Sequence, residues 1–316
     1  MKEYIINSEN EGQRFDKFLS RIVGSGGMSF IFKMLRKKNF VLNNKKATGK
    51  EILKAGDVVN LYISDDTFEK FKTEIKVNDH SLKSIPAIDS FIIYEDENII
   101  LINKPSGMLS QKSVNDDISI NECLIDYLYR NGSITNESLQ NYKPSVINRL
   151  DRNTTGIIIA AKSLNAAQVL SANLKNREIK KYYQCIVCGK FDKNGIYKGY
   201  LTKDSQSNSV SITDRPISDK SDYIETEYTY LKDLDGLSLV KVHLITGKSH
   251  QIRAHLNYMG FPILGDRKYG NRSINSKYKA KNQLLHAYKI EFPVFDDKYN
   301  FKFSGKEFEC KPNFRY

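Results

Sequence analysis

Apolar residues near the start of the chain recur every three or four positions, which predicts two consecutive helices. The first is expected in GQRFDKFLSRIV, whose apolar positions alternate with basic ones and comprise Phe15, Phe18, Leu19 and Ile22. The glycine-rich GSGG ends this helix, and SFIFKMLRKKNF predicts the second, with Ser29 as its N-cap. Its inward-facing side chains are expected to be Ile31, Met34 and Leu35. VLNNKKATGKEILKAGDVVNLYI then alternates and turns as a small sheet does.

Beyond residue 88, apolar runs alternate with polar turns, which predicts a second and larger domain. FIIYEDENIILINKPSGM indicates two strands and a turn built on Pro105 and Gly107, while GIIIAAK and KKYYQCIVCG indicate two buried strands. Helices are further expected at 121–130, 164–177 and 250–259, and strands at 224–231 and 237–244. Strands and helices do not alternate strictly, so we expect an α+β architecture around a largely antiparallel mixed sheet flanked by helices.

These patterns divide the chain into a small α+β domain at 1–63 and a larger domain at 89–316. Residues 64–88 are polar, with acidic and basic positions mixed, and predict a linker with one short strand at most. A length of 316 residues is sufficient for two domains.

The hydropathy of the chain bears on its location. No apolar run approaches the roughly 20 residues that a membrane span needs. The first residues, MKEYIINSENEG, contain no apolar core of signal-peptide length. We therefore expect a cytoplasmic protein with no membrane contact. A monomer is the default expectation, since the sequence does not indicate the oligomeric state.

Cysteine usage indicates a reducing compartment, with four cysteines in 316 residues. Cys185 and Cys188 form a CxxC, a spacing that also occurs in metal and redox sites. They lie in a predicted strand, however, where residues three apart point to opposite faces, and the sequence has no second CxxC. We expect two core cysteines and no metal site.

The charge of the chain indicates a nucleic-acid partner. Net charge is +12, and residues 1–63 hold 12 Lys and Arg against 6 Asp and Glu. Between Lys33 and Lys50 there are seven basic residues and no acidic one. A solvated lysine-rich surface is the ordinary alternative, but clustering of the charge favours RNA or DNA.

The basic N-terminal stretch resembles the S-four RNA-binding domain, named after a small-subunit ribosomal protein. The resemblance is carried by KAGDVV and by ten further positions: Arg14, Asp16, Lys17, Phe18, Leu19, Ser29, Leu35, Arg36, Val41 and Asn43. It implies that the second helix and the following turn present four basic side chains to RNA phosphates, namely Lys33, Arg36, Lys37 and Lys38. Contacts of this kind hold RNA without reading its sequence.

Four segments of the larger domain are candidates for chemistry: INKPSGM, NRLDRNTTG, KKYYQ and TGKSHQIRAHLNYMGFPILGDRKYG. Each one has an ordinary explanation when taken alone, such as a charged turn before a strand. His250 and His255 lie five residues apart on a predicted helix, about 140° around its axis, so they are not placed to share a metal.

Together and in this order, the four segments resemble the RluA-type family of RNA pseudouridine synthases, over residues 90–295. The family motif His-Arg-Leu-Asp-x-x-Thr-Ser-Gly appears as NRLDRNTTG, its Lys-x-Tyr strand as KKYYQCIVCG, and its Thr-Gly-Arg-x-His-Gln-Ile-Arg-x-His helix as TGKSHQIRAHL. Leu-His-Ala follows at 285–287. The sequence departs at Asn148, where the family has histidine, and at Lys248 and Ser249, where it has Arg-Thr. These changes leave the chemistry in place but make individual RNA contacts less secure.

The resemblance implies an isomerase that converts uridine to pseudouridine without a cofactor or a metal. Asp151 is implied as the catalytic carboxylate, Arg253 as its ion-pair partner, and Tyr182 as the active-site tyrosine. Substrate binding is expected from five further residues: Arg149, Arg152, Lys104, His250 and Gln251. Gly247 and Gly265 are expected in tight turns, and Asp266 and Tyr269 are expected to brace the helix that carries Arg253.

The identity of the RNA is left open by the sequence. An S-four-like domain ahead of an RluA-type domain suggests large-subunit ribosomal RNA, and transfer RNA is the alternative. A non-catalytic RNA-binding protein of this fold is a second alternative, which the joint presence of Asp151, Tyr182 and Arg253 disfavours. A nucleoside hydrolase is a third, and it would release free uracil.

Overall fold

The computed structural model describes residues 1–7, 10–73, 85–114, 117–204 and 207–315, except for the side chains of 140 and 141. It contains two compact units. The first comprises Met1–Ala87, Glu122–Ser145 and Ala161–Gln168; the second comprises Ile88–Asn121, Val146–Ala160 and Val169–Tyr316. The first unit therefore includes segments that the sequence assigned to the larger domain. The boundaries at 63 and 89 stay a prediction.

The N-terminal part of the first unit packs helices on a four-stranded sheet. The helices are α1 (Phe15–Val23), α2 (Gly27–Arg36) and α3 (Asp65–Phe71). The strands are β1 (Lys2–Ile5), β2 (Phe40–Leu42), β3 (Lys45–Lys46) and β4 (Val58–Leu61), in the order β1-β4-β2-β3. Every inward-facing position predicted for the two helices is buried or packed against this core, which confirms their periodicity: Phe15, Phe18, Leu19, Ile22, Ile31, Met34 and Leu35.

Two local predictions in this region are wrong. The second helix starts at Gly27 and has Gly26 rather than Ser29 as its N-cap, because Gly27 turns the chain with a φ of 72° that glycine adopts without strain. Part of the expected linker is helix α3, which begins where the Ser64 hydroxyl accepts a hydrogen bond from the Thr67 amide. Residues 74–84 of that linker lie outside the described residues.

The second unit contains an eleven-stranded mixed sheet within the described ranges. Its strands are β5 (Ile92–Glu95), β6 (Ile99–Lys104), β7 (Ser145–Val146), β8 (Thr155–Ala161), β9 (Lys180–Cys188), β10 (Gly195–Asp204), β11 (Ser209–Thr213), β12 (Asp222–Asp233), β13 (Leu237–Leu244), β14 (Leu285–Glu291) and β15 (Glu307–Glu309). The main order is β11-β10-β12-β13-β9-β14-β8-β6-β5. The pairs from β11 to β14 are antiparallel and β8 runs parallel to β14, so the largely antiparallel mixed sheet is confirmed. Strands β7, β10, β11, β14 and β15 were not predicted.

Five more helices complete the described elements. They are α4 (Ile120–Arg130), α5 (Ser138–Asn141), α6 (Leu164–Lys175), α7 (Gln251–Tyr258) and α8 (Arg272–Lys277). Short 3₁₀ turns occur at Gly24–Gly26, Asp89–Phe91 and Asp297–Tyr299. No helix in the described part of the chain has the length and apolarity that crossing a membrane requires. The helices predicted at 121–130, 164–177 and 250–259 are confirmed within two residues at each end.

Gly156 allows the parallel strands β8 and β14 to approach closely. Its φ is 106°, and a Cβ at this position would lie 2.2 Å from the carbonyl oxygen of Ala287, its partner in the ladder. Only glycine combines this backbone conformation with the absence of a side chain. Gly156, near the start of β8, therefore allows β8 and β14 to pair closely at this point.

We expect Gly156→Ala to lower the free energy of unfolding by roughly 2–6 kcal/mol, because backbone strain and a steric clash add. Gly195→Ala is the matched control, since its φ is 122° but an added Cβ meets nothing within 4 Å. Urea denaturation of both variants measures the difference. An equal loss for the two would show that strain alone, without the clash, decides the cost.

Candidate active site

Asp151 lies on a tight loop that leads directly into strand β8. The Thr154 amide donates to the Asp151 carbonyl at 3.0 Å, which closes the turn, and β8 begins at the next residue. Side-chain exposure of Asp151 is 26%, although the neighbouring strand is almost wholly buried. The sequence change from charged loop to apolar strand therefore places a partly accessible carboxylate on the end of a rigid element.

Segment 104–110 holds this loop from one side. Lys104 is fully buried, and its ammonium donates to the carbonyls of Pro105, Met108 and Arg152 at 3.0, 2.8 and 2.9 Å. The Ser110 hydroxyl donates to the Leu150 carbonyl and accepts from the Leu150 amide. Burial lowers the pKa of Lys104 to about 7, against the opposing charge of Asp151.

The prediction that Lys104 binds substrate is therefore corrected. All three protons of its ammonium group are taken by backbone carbonyls, and the side chain has no exposed surface. Lys104 orders the loop that carries Asp151.

Arg253 joins Asp151 to a second, buried carboxylate. Its Nη1 donates to Asp151 Oδ2 at 2.7 Å, while its Nε and Nη2 donate to the two oxygens of Asp266 at 2.7 and 3.0 Å. Burial alone would raise the pKa of Asp266, but the hydrogen bonds from Arg253 and two backbone amides lower it below its ordinary value. Burial likewise opposes the charge of Arg253, and the two carboxylates reverse this and raise its pKa. The predicted Asp151–Arg253 ion pair is present.

One oxygen of Asp151 is left available. Arg253 occupies Oδ2, and within the described ranges no donor contacts Oδ1. The carboxylate is thus oriented through one oxygen, and the other can face a reacting group.

The start of helix α7 is set by hydrogen bonds of Gln251. This side chain is 2% exposed and bonds to Thr246, Lys248, Glu225 and Thr226. The prediction that Gln251 binds substrate is corrected, because its amide oxygen and nitrogen are both engaged within the protein. Gln251 holds the turn before the helix that carries Arg253.

His250 precedes the helix in a left-handed conformation, with a φ of 56°. Its Nδ1 is 2.9 Å from the Tyr269 hydroxyl, which also accepts from the Val210 amide. Burial lowers the pKa of His250, although the charge of Asp151 works in the opposite direction. His250 thus lies near Asp151 and stays a predicted substrate contact.

The turn after helix α7 supports Arg253. Arg253 lies over the Tyr269 ring at 5.2 Å, so both Asp266 and Tyr269 contact it as expected. Gly265 has a φ of 82°, and a Cβ there would lie 2.1 Å from the Asn282 carbonyl oxygen, which confirms a tight turn. Gly247 does not adopt a left-handed conformation; its missing side chain instead leaves room for the ammonium of Lys181.

The structure assigns the two tyrosines of KKYYQ to opposite faces of β9. Tyr182 stacks on His243 with ring centroids 4.6 Å apart and donates to Glu291 at 3.2 Å, and burial raises its pKa to about 12. Tyr183 is buried in the cluster that contains Leu150 and Ile252, the neighbours of Asp151 and Arg253. Burial raises the pKa of Tyr183, and the charge of Asp151 raises it further.

Tyr182 stays a predicted active-site tyrosine, and Tyr183 is the alternative that its place beside Leu150 and Ile252 favours. Alternate residues of a strand share a face, so Tyr183 points with Cys185 and Val187 into the core beside Asp151. The sequence carried a signal for this, because the face of β9 with Tyr183, Cys185 and Val187 is apolar, whereas the face of Tyr182 includes the polar Gln184.

The two arginines flanking Asp151 are exposed. Arg152 has a side-chain exposure of 57% and approaches Asp117 at 3.7 Å. Arg149 makes no hydrogen bond or ion pair to any described residue. Asn148, at the family's histidine position, accepts from the Ile159 amide at 2.7 Å and so keeps a local structural contact. Both arginines remain predicted substrate contacts.

The basic positions of the first unit are exposed together. Lys33, Arg36, Lys37 and Lys38 all lie at the surface of α2 and the turn after it. A pocket of about 630 Å³ lies beside them, lined by Ser29, Phe32, Leu35, Arg36, Lys46, Ala47 and Thr48. This geometry fits the predicted contact with RNA phosphates.

Cys185 and Cys188 lie in different hydrophobic clusters, as their spacing on a strand predicted. Within the described ranges, no group of three or more His, Cys, Asp or Glu side chains is arranged to hold a metal ion.

Comparison with known proteins agrees with this geometry. A family model described as RNA pseudouridylate synthase matches residues 98–258. Ribosomal large subunit pseudouridine synthase C of Rickettsia felis is 33% identical over 94% of this chain and 96% of that protein. An uncharacterized RNA pseudouridine synthase of Mycoplasma genitalium is 31% identical over 93% of this chain and 90% of that protein. Human RNA pseudouridylate synthase domain containing 4 shares the fold, with a TM-score of 0.55 at 22% identity over 74% of this chain and 92% of that one.

The fold and the site define an enzyme of the isomerase class that acts on RNA. The chain belongs to the RNA pseudouridylate synthase family, as the resemblance of its motifs predicted.

Proposed function

We propose that this protein isomerises uridine to pseudouridine in large-subunit ribosomal RNA, with Asp151 as the catalytic carboxylate. The observation that carries the proposal is the state of Asp151: Arg253 holds one oxygen at 2.7 Å while the other accepts no bond from any described residue. The choice of RNA rests on relatives such as the large-subunit enzyme of Rickettsia felis. We further propose that the protein acts as a monomer in the cytoplasm.

The reaction requires only rearrangement within the substrate. The N1–C1′ bond breaks, the uracil turns over, C5 bonds to C1′, and the proton that leaves C5 is balanced by one gained at N1. No co-reactant enters and no water is consumed, so a second carboxylate of the kind that glycosidases use is not required. The uridine has to leave its stack to reach Asp151, and we expect exposed Arg149 and Arg152 to contact the extruded nucleotide and its backbone.

Tyr183 takes the role that the sequence gave to Tyr182. It lies on the face of β9 that packs with Leu150 and Ile252, and its raised pKa keeps the phenol protonated at neutral pH. A buried, neutral tyrosine beside Asp151 suits stacking on the uracil and guiding a proton to or from a water.

Pseudouridine mapping tests the reaction and the target. Total RNA from cells that lack the protein should lose pseudouridine at discrete large-subunit ribosomal positions, and wild type should restore it. Asp151→Ala should fail to restore the pseudouridine. Removal of a positioned carboxylate should lower the rate of isomerisation at least about a hundredfold. The control Asp192→Ala changes an exposed aspartate that pairs with Lys193 and should restore the wild-type map.

Three outcomes would contradict parts of this proposal. Loss of pseudouridine in transfer RNA alone would overturn the target. Release of free uracil from RNA by the purified protein would indicate a hydrolase. Restoration of the map by Asp151→Ala would overturn the assignment of the carboxylate.

The two tyrosines can be separated by removing one hydroxyl at a time. Tyr183→Phe should lower kcat by about tenfold to a hundredfold, since the charge of Asp151 acts on its hydroxyl, whereas Tyr182→Phe should change kcat less than about threefold. Single-turnover assays on the mapped RNA compare the variants, and circular dichroism checks that each is folded. The reverse order of effects would reinstate Tyr182.

We also propose that the basic surface of the first unit, defined by Lys33, Arg36, Lys37 and Lys38, strengthens RNA binding. Replacing all four by alanine should lower affinity and reduce the slope of log Kd against log salt, by about 0.7–0.9 for each phosphate that is no longer neutralised. The control replaces four exposed lysines of the second unit, which changes the net charge equally: Lys190, Lys193, Lys220 and Lys232. Equal effects of the two quadruple variants would show that only total charge matters.

A further inference from the structure

Lys181 is a half-buried cation on the same face of β9 as Tyr183. Residues two apart in a strand share a face, so Lys181 lies on the same side of the sheet as Tyr183, two residues nearer the start of β9. This is the side of the sheet that packs beside Asp151. Across the ladder it lies directly opposite Ile290 of β14. A Cβ on Gly247 would lie 3.2 Å from the Nζ of Lys181, so this lysine reaches the turn that leads into helix α7.

No residue in the described ranges supplies a counter-charge to this ammonium. In the described part of the chain, Lys181 makes neither a hydrogen bond nor an ion pair, and burial lowers its pKa with no opposing carboxylate. Nearby lysines differ in this respect. Lys180 approaches Glu291 at 3.9 Å and Lys248 approaches Asp222 at 2.6 Å, whereas the strand and turn around Lys181 contribute Ile290 and Gly247.

A cation that is partly removed from water without a partner costs free energy, and a ligand with negative charge would recover that cost. The compact ammonium of lysine suits a phosphate, which it binds as a point charge. A uridine extruded towards Asp151 carries a backbone phosphate on each side of its ribose. The absence of a side chain at Gly247 leaves the Nζ open on the side of the turn.

We propose that Lys181 is a phosphate-binding residue that holds a backbone phosphate next to the extruded uridine. This inference rests on the proposed function. Lys181 thereby anchors the nucleotide on one side, while Tyr183 and Asp151 face its base and ribose.

The first test observes the lysine without turnover. In full-length protein labelled with ¹³C-lysine, the signal of Lys181 is identified by its loss in Lys181→Arg. Inorganic phosphate and uridine 5′-monophosphate, at constant ionic strength, should shift this signal saturably, and uridine should not. The Lys180 signal is the internal control. A Lys181 signal that moves no more than that of Lys180 overturns the proposal.

The second test measures RNA binding by Lys181→Met, Lys181→Arg and Lys180→Met, using a large-subunit ribosomal RNA transcript. Lys181→Met should weaken binding by about tenfold or more and reduce the salt slope by about 0.7–0.9, as removal of one cation from a phosphate predicts. Lys181→Arg should retain most of the RNA affinity and most of the salt slope, and Lys180→Met should resemble wild type in both quantities. Equal effects at 180 and 181 would contradict a specific contact.

The two tests separate this site from the proposed reaction. If Lys181 responds to phosphate but the RNA is not isomerised, the phosphate site stands and the function fails. If RNA is isomerised equally by wild type and Lys181→Met while the signal stays unchanged, the function stands and the phosphate site fails.

Discussion

The guanidinium of Arg253 lies between two carboxylates, and the arrangement of the site depends on this ion pair. Asp266 has no exposed side-chain surface, so a buried negative charge would remain if Arg253 were absent, at a cost of about 3–5 kcal/mol. The fork of two hydrogen bonds to Asp266 leaves one guanidinium nitrogen directed at Asp151. Orientation of the accessible carboxylate is thereby set by the inaccessible one.

The loop of Asp151 is held from the opposite side by backbone groups. Lys104 and Ser110 bond the carbonyls of Arg152 and Leu150, one residue to either side of Asp151. A carboxylate restrained through its side chain and through both neighbouring peptides has little freedom to rotate, which is what positioning of a reacting group requires. Contact with the substrate is therefore expected from exposed side chains, among them Arg149 and Arg152.

Much of this arrangement could be predicted from the sequence, where local periodicity and ordered motifs agree. The helices at 15–23 and 27–36, the buried strand after Asp151 and the Asp151–Arg253 pair all carry such signals. The misassigned residues are those whose role depends on burial. Lys104 and Gln251 look like surface polar residues in the sequence, and only their depth shows that the backbone takes their hydrogen bonds.

The choice between Tyr182 and Tyr183 is difficult from sequence for a related reason, since two adjacent tyrosines differ only in the face of the strand that each occupies. Strand β10 was missed because its residues are largely polar or exposed, which hides the period of two, whereas SVSIT of β11 shows that period and was missed because it is only five residues long. Helix α3 was missed although Ser64, Asp65 and Asp66 form an ordinary helix start.

The close contact at Gly156 has a consequence for how the protein is made. Strand β8 pairs with β14, and the Thr155 hydroxyl bonds His286, 131 positions later in the chain. At synthesis rates of roughly 5–20 residues per second, the segment from Asp151 to the end of β14 takes roughly 7–28 s to translate. Arg253 follows Asp151 by 102 residues, so the nascent loop lacks this partner for about 5–20 s, and it lacks a complete β14 for the whole interval. A nascent chain that ends before β14 therefore has no assembled site.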